Sequence, residues 1–229
     1  MVLVIAHRGA SAYEPENTVR SVLKAVEMGV DAVEVDVRLS RDGVPVVVHD
    51  EDLWRVARVK VKVRELSLSQ LKRLDVGKGE AIPSLSEVIA AVKGRVGLVV
   101  ELKEEGLEAL VVDLLRGLGD VMVTSFIHRA VKRVKGYERS LKTGVIFTGL
   151  PIKVVDLALE ADADALFPRR DFVTPEVVDS AHEHNLAVYP WTVDDPEEVV
   201  RLARMGVDGV VTNRPDVALE ALRRVALRA

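Results

Sequence analysis

Residues 33–50, VEVDVRLSRDGVPVVVHD, contain two valine-rich runs around an Asp-Gly pair, the pattern of a β-hairpin. Side chains two residues apart on a strand share a face. Glu34 and Asp36 therefore stand together on one side of the first run, while Val33, Val35 and Val37 alternate onto the other. Charge paired in this way within an apolar strand asks for a purpose. The second run ends in His49-Asp50. A two-residue turn centred between Asp42 and Gly43 puts His49 opposite Asp36, so the hairpin carries a histidine back to the carboxylates.

Outward from this hairpin, short Val/Ile/Leu runs alternate with amphipathic segments. Strands are expected over 2–6, 32–37, 96–102, 121–125, 143–147, 163–167, 186–191 and 209–212. Helix starts lie between them: Ser84 with Glu87 three residues on forms a capping box, and Thr174-Pro175 and Asp195-Pro196 each set a capping residue before a proline. The first helix is expected to begin near Asn17 and the last to run from about Asp216 to the end of the chain. Eight strands separated by helices in 229 residues predict a single (β/α)₈ barrel domain over 1–229. A doubly wound open sheet is the alternative, but no strand is followed by a glycine-rich nucleotide loop. Within the barrel, 44–81 is read as an inserted flap. Residues 44–48 return along the second strand, and one short helix over 69–74 lies in otherwise irregular chain.

The chain is 48% hydrophobic with 4% aromatics, so its core must be aliphatic. The net charge of −4 and the absence of a concentrated basic face beyond RVARVKVKVR exclude a nucleic-acid partner. Cysteine is absent, which removes thiolate metal sites. No apolar run approaches the roughly 18 residues of a membrane span, and the one preceding His7 is too short for a signal peptide, so the expected location is cytoplasmic. Asn and Gln are scarce while charged residues reach 30%, a balance typical of thermophiles.

In such a barrel the C-terminal ends of the strands supply the active site. Those ends carry His7-Arg8, Glu34 and Asp36, Glu101 and Lys103, Ser125-Phe126, Trp191-Thr192 and Thr212-Asn213. Taken singly, a lone His7 reads as a core histidine, Glu101 with Lys103 has a strand-end ion pair as its alternative reading, and Phe126 and Trp191 read equally as core or as substrate-binding residues of the site. Residues 55–64 read as a solvated flap, and His128, His182 and His184 as surface. Their collection at one rim argues for chemistry. Three carboxylates without cysteine suit a hard divalent cation, Mg²⁺, Ca²⁺ or Mn²⁺. Without one they would repel each other, and at least one pKa would rise. Arg8 and Lys103 beside the cation are what a phosphate needs, and His7 and His49 supply a base and an acid near neutral pH. The set predicts metal-assisted phosphoryl transfer. A metal-enolate lyase or isomerase would not want two histidines flanking the cation, and a non-catalytic phosphate-binding barrel would not need them.

The segments AHRGASAYEPENT (6–18), DAVEVDVRLSRDGVPVVVHDEDL (31–53), IPSLSEVI (82–89), VVELK (99–103), TSF (124–126), YPWTV (189–193) and GVDGVVTNRP (206–215) together resemble the glycerophosphodiester phosphodiesterase family. The resemblance implies a TIM barrel that hydrolyses a small-molecule glycerophosphodiester to glycerol 3-phosphate and an alcohol. It implies His7 and His49 as catalytic histidines, Glu34, Asp36 and Glu101 as metal ligands, and Arg8 and Lys103 as phosphate contacts. Glu16-Asn17 fall in its PENT segment as structural support, with Asn17 able to cap the first helix. The chain departs from the family after HDEDL, where WRVARVKVKV replaces an Arg-Thr-Thr run, and at Thr212-Asn213, where Thr-Asp is usual. Asn185 replaces a usual glycine. The same chemistry on lysophospholipids would need an apolar groove, for which Trp54 and the flap valines are available.

Overall fold

The computed structural model describes residues 2–226. Its strands are β1 (Leu3–His7), β2 (Ala32–Leu39), β3 (Pro45–Val47), β4 (Gly97–Leu102), β5 (Val121–Ser125), β6 (Lys142–Phe147), β7 (Ala165–Pro168), β8 (Ala187–Val188) and β9 (Gly209–Thr212). All except β3 run parallel, in the order β8-β7-β6-β5-β4-β2-β1-β9. The remaining seam, between β8 and β9, is drawn together by backbone bonds from Val211 N–H to Pro190 O (2.9 Å) and from Val193 N–H to Val211 O (2.9 Å). With helices between the strands, this is a nearly closed (β/α)₈ barrel. Of the expected strand 186–191 only Ala187–Val188 is regular strand, but its bonding to β7 continues irregularly, from Tyr189 N–H to Leu166 O (2.9 Å) and from Trp191 N–H to Pro168 O (3.1 Å). The last helix spans Pro215–Ala226, and its expected continuation lies outside the described residues. No helix among the described residues is long and apolar enough to cross a membrane.

Strand alternation sorts two cores. Val33, Val35 and Val37 are buried with Val22, Val88 and Val111 of the surrounding helices. Each such side chain contributes roughly 1.5–3 kcal/mol by leaving water. The other strand faces fill the lumen with Ile5, Val99, Ile146, Phe167 and Val211, and Ala32 packs there too. Glu34 and Asp36 follow Ala32 at spacing two, so β2 turns its valines to the helices and its carboxylates into the barrel mouth.

Lumen packing depends on one missing side chain. A Cβ on Gly144 would lie 2.5 Å from Cε2 of the Phe167 ring. Gly144→Ala is expected to destabilise the fold by about 1–3 kcal/mol, the usual cost of overpacking. It would appear as a lower urea midpoint at unchanged m-value. An unmoved midpoint would mean that the ring has room to shift.

The hairpin is present, with a register one residue from the expected one. Val37 pairs with Val47 and Leu39 with Pro45, so Val48, not His49, lies opposite Asp36. The turn is a three-residue loop, Arg41–Gly43, closed by Ser40 N–H to Val44 O (3.0 Å), with Gly43 at φ 77°. An αL glycine after a type I turn is the usual third residue of such loops. The flap also holds more helix than expected: Trp54–Ala57, a 3₁₀ turn at Val63–Glu65, and Leu68–Leu71 in place of 69–74. These pieces bury a small core of their own, with Val46, Val48, Leu53, Val63, Leu71 and Ile82. The capping box at Ser84 and the caps at Thr174 and Asp195 are present. Asn185 adopts the left-handed conformation that glycine would take (φ 58°).

Candidate active site

Ligand oxygens of Glu34, Asp36 and Glu101 lie within 4.8 Å of one another in the barrel mouth. All three side chains are buried, and Glu34 Oε1 and Asp36 Oδ1 have no hydrogen-bond partner among the described residues. Burial, then repulsion from Asp36 and Glu101, raises the pKa of Glu34 well above the ordinary carboxylate range. Glu101 is pushed up to about 7 by burial and by Asp36. Burial also acts to raise Asp36, but Arg8, Lys103, His49 and Asn17 outweigh it and hold that carboxyl low. Oxygen ligands, convergence and uncompensated negative charge fit a hard divalent cation.

Cationic side chains frame the acids. Arg8 Nε lies 3.0 Å from Asp36 Oδ2, and Lys103 Nζ lies 2.6 Å from Glu101 Oε1 and 3.5 Å from Asp36 Oδ1. Both belong to residues just past a strand end, where the chain leaves the sheet and its side chains turn over the mouth. Arg8 takes a left-handed backbone (φ 56°), which lets its N–H donate to Glu34 Oε2 at 3.0 Å.

His7, last in β1, points its Nε2 to within 4.0 Å of Glu34 Oε2. Burial, then Arg8, lowers its pKa. His49 follows β3 rather than pairing within it. Its carbonyl accepts from Arg38 Nε at 2.8 Å, and its Nδ1 lies 2.6 Å from Asp50 Oδ1. The ring still sits in the fields of Asp36, Arg8 and Lys103, and burial lowers its pKa against the pull of Asp36 and Asp50. Despite the shifted register, the hairpin thus carries His49 into the field of Asp36. Phe126 and Trp191 meet edge to face at 5.5 Å, and Lys103 Nζ is 5.8 Å from the centre of the Phe126 ring. The structure thus brings His7, Arg8, Glu34, Asp36, His49, Glu101, Lys103, Phe126 and Trp191 to one end of the barrel.

Several supporting residues were not anticipated, or were given another part. Thr18, not Asn17, caps the first helix. Asn17 instead clamps Asp36 from two sides: its Nδ2 donates to Asp36 Oδ2 (2.8 Å) and its Oδ1 accepts from Asp36 N–H (3.2 Å). Arg55 grips Glu16 with both terminal nitrogens (2.8 and 2.7 Å) and Asp50 with Nε (2.6 Å), while Glu16 also holds Arg8 (3.0 Å). A chain of alternating charge so links the flap to both histidine environments. Behind His7, Nδ1 meets Asn213 Oδ1 at 2.7 Å, and Asn213 Nδ2 donates to Asp194 Oδ2 at 2.7 Å. His182 and His184 are exposed as expected. His128 is half-buried and bonds the carbonyl of Ile146 at 2.9 Å, which corrects its reading as a surface residue.

Residues 7–217 match the model of the glycerophosphoryl diester phosphodiesterase family. A glycerophosphodiester phosphodiesterase of Caldanaerobacter subterraneus subsp. tengcongensis is 33% identical over 97% of this chain and 98% of its own. Among solved structures, an Oleispira antarctica phosphodiesterase in complex with the product sn-glycerol-3-phosphate superimposes with a TM-score of 0.90 at 30% identity, over 96% of each chain. The glycerophosphodiester phosphodiesterase of Thermotoga maritima gives 0.86 at 30% identity, over 96% of this chain and 98% of that one. By sequence along its length and by the architecture of its barrel, the chain belongs to the glycerophosphoryl diester phosphodiesterase family of hydrolytic enzymes.

Proposed function

We propose that the protein hydrolyses glycerophosphodiesters to glycerol 3-phosphate and an alcohol, with His7 and His49 exchanging protons and Glu34, Asp36 and Glu101 holding a divalent cation. The carrying observation is the convergence of two histidines, three buried carboxylates, Arg8 and Lys103 on one barrel mouth. The structural relative that binds sn-glycerol-3-phosphate supports the product. Mg²⁺, Ca²⁺ and Mn²⁺ all suit the oxygen ligands, and such an ion would polarise the phosphoryl oxygens. Arg8 and Lys103 bind the phosphate and offset the charge that builds on its oxygens. Phe126 and Trp191 give the organic part of the substrate an apolar wall. One histidine removes a proton from the nucleophile while the other protonates the departing alcohol.

The nucleophile in this reading is the substrate's own glycerol 2-hydroxyl. It is already tethered, and well-oriented internal attack reaches effective molarities on the order of 10⁵ M or more. The cyclic phosphate formed is then opened by water as the histidines exchange roles. A glycerophosphodiester is therefore expected to turn over far faster than its 2-deoxy analogue at saturating substrate. Equal rates would sink the internal route and leave water as the direct attacker.

A second reading, action on lysophospholipids, is favoured by one observation: Trp54 is 48% exposed on the flap, with Val59 exposed near it in sequence. Release of glycerol 3-phosphate from a panel of glycerophosphodiesters, or of lysophosphatidic acid from lysophospholipids, decides between the two. Turnover of neither class, with and without added cations, would remove the proposal.

A further inference from the structure

The charge behind His7 is held at one remove. Asp194 lies in the loop after β8, and its two oxygens are fully engaged by the end of β9. Oδ1 accepts from Thr212 Oγ1 (3.0 Å) and from the Asn213 backbone N–H (2.7 Å), while Oδ2 accepts from Asn213 Nδ2 (2.7 Å). These bonds settle which way the Asn213 amide faces. Turned over, it would set its carbonyl oxygen against the Asp194 carboxylate, acceptor against acceptor. Asn213 Oδ1 is thereby committed to the other side, where it meets His7 Nδ1 at 2.7 Å and Ser11 Oγ at 2.9 Å. A carbonyl oxygen only accepts, so His7 Nδ1 must carry the ring proton. The lone pair of the neutral ring is left on Nε2, the nitrogen nearest Glu34 and the barrel mouth.

We infer that Asp194 and Asn213 are positioning residues that hold His7 in its Nδ1–H tautomer and aim Nε2 at the reacting phosphodiester. This rests on the reading of His7 as a proton-transfer group. When His7 acts as base, the O–H bond of the attacking hydroxyl breaks and an Nε2–H bond forms. The Nδ1 proton stays in its bond to Asn213, and the imidazolium gains the amide dipole and the Asp194 charge beyond it. A carboxylate at 213 would put full negative charge directly on the ring. In this chain the amide relays orientation and keeps that charge one residue further out.

The test begins with the wild-type protein carrying ¹⁵N-labelled histidine, at pH 8. Two-bond ¹H–¹⁵N correlation is expected to show His7 as the Nδ1–H tautomer, and an Nε2–H ring overturns the inference whatever the enzyme's activity. Asp194→Ala frees the amide to turn. It is expected to mix the two tautomers and to lower kcat on the order of 10–100-fold, the scale seen for lost supporting partners, with KM within about twofold. Adding Asn213→Asp to Asp194→Ala restores an acceptor that has no N–H face, and is expected to recover most of kcat. A loss caused only by a loosened β8–β9 loop would not be rescued in this way, so failure of rescue, or a rise in KM alone, counts against the inference. Should Asp194→Ala not fold, the wild-type spectrum still decides. His7→Ala, assayed in parallel, tests the proton-transfer reading separately: wild-type turnover there removes that reading and leaves the tautomer result standing.

Discussion

Replacing either His7 or His49 with alanine is expected to lower kcat by roughly 10²-fold or more, the scale of a lost general acid or base. The expectation rests on placement. His7 sits at the end of β1 with Nε2 toward the carboxylates, and His49 reaches the same mouth from the flap, fastened through its carbonyl to Arg38 and through its ring to Asp50. In the proposed mechanism the two serve one cycle of proton transfers, so the double variant should lose less than the product of the single losses. Purified variants free of host phosphodiesterase, assayed by glycerol 3-phosphate release, give the answer. Wild-type turnover in either one removes that histidine from the mechanism.

Exhaustive chelation is expected to abolish activity, and added divalent cation to restore it. Three buried carboxylates, two of them with raised pKa, are costly to keep together, and a cation would offset that cost. Glu34→Gln, Asp36→Asn and Glu101→Gln should each weaken cation binding in a calorimetric titration. Their effects on the cation-free fold should differ. Glu34 suffers burial and the repulsion of two neighbours, so its amide is expected to raise the melting temperature while cation affinity falls. Asp36 instead anchors Arg8, Lys103 and Asn17, and removing its charge leaves buried partners uncompensated. That change is expected to lower stability by roughly 3–5 kcal/mol. Full activity in demonstrably cation-free protein would end the metal assignment.

What the residue order revealed was mostly what local periodicity encodes. The valines of β2 at spacing two, the capping pairs at Ser84, Thr174 and Asp195, and the charged residues at strand ends all act within a few positions of themselves. The barrel and its mouth followed from them. The hairpin register did not, because Asp42-Gly43 serves a two-residue turn and a three-residue loop equally well; a positive φ at Gly43 is common to both, and what separates them is Asp42, which a type I′ turn would also need at positive φ and which does not adopt it. Asn17 stood next to Thr18 at the helix start, and either could have been the cap. Its clamp on Asp36 joins residues 19 apart. Arg55 reaches Glu16 across 39 positions, and Asp194 reaches Asn213 across 19. Such partners carry no pattern of their own until the fold has brought them together.

The separate hydrophobic cluster of the flap has a further consequence. His7 is carried by the barrel, whereas His49 is tied to the piece of chain built on Leu53, Val63, Leu71 and Ile82. The two histidines of the proposed proton transfers therefore stand on two hydrophobic clusters, joined by the short β2–β3 ladder, the bond from Arg38 to the His49 carbonyl and ion pairs such as those of Arg55. Units of this kind can open at different free energies. Undocking of the smaller one would separate the histidines while leaving every barrel strand intact. Competence for turnover and survival of the fold are thus expected to be two different equilibria, and amide exchange in 51–82 would report the first without waiting for the second.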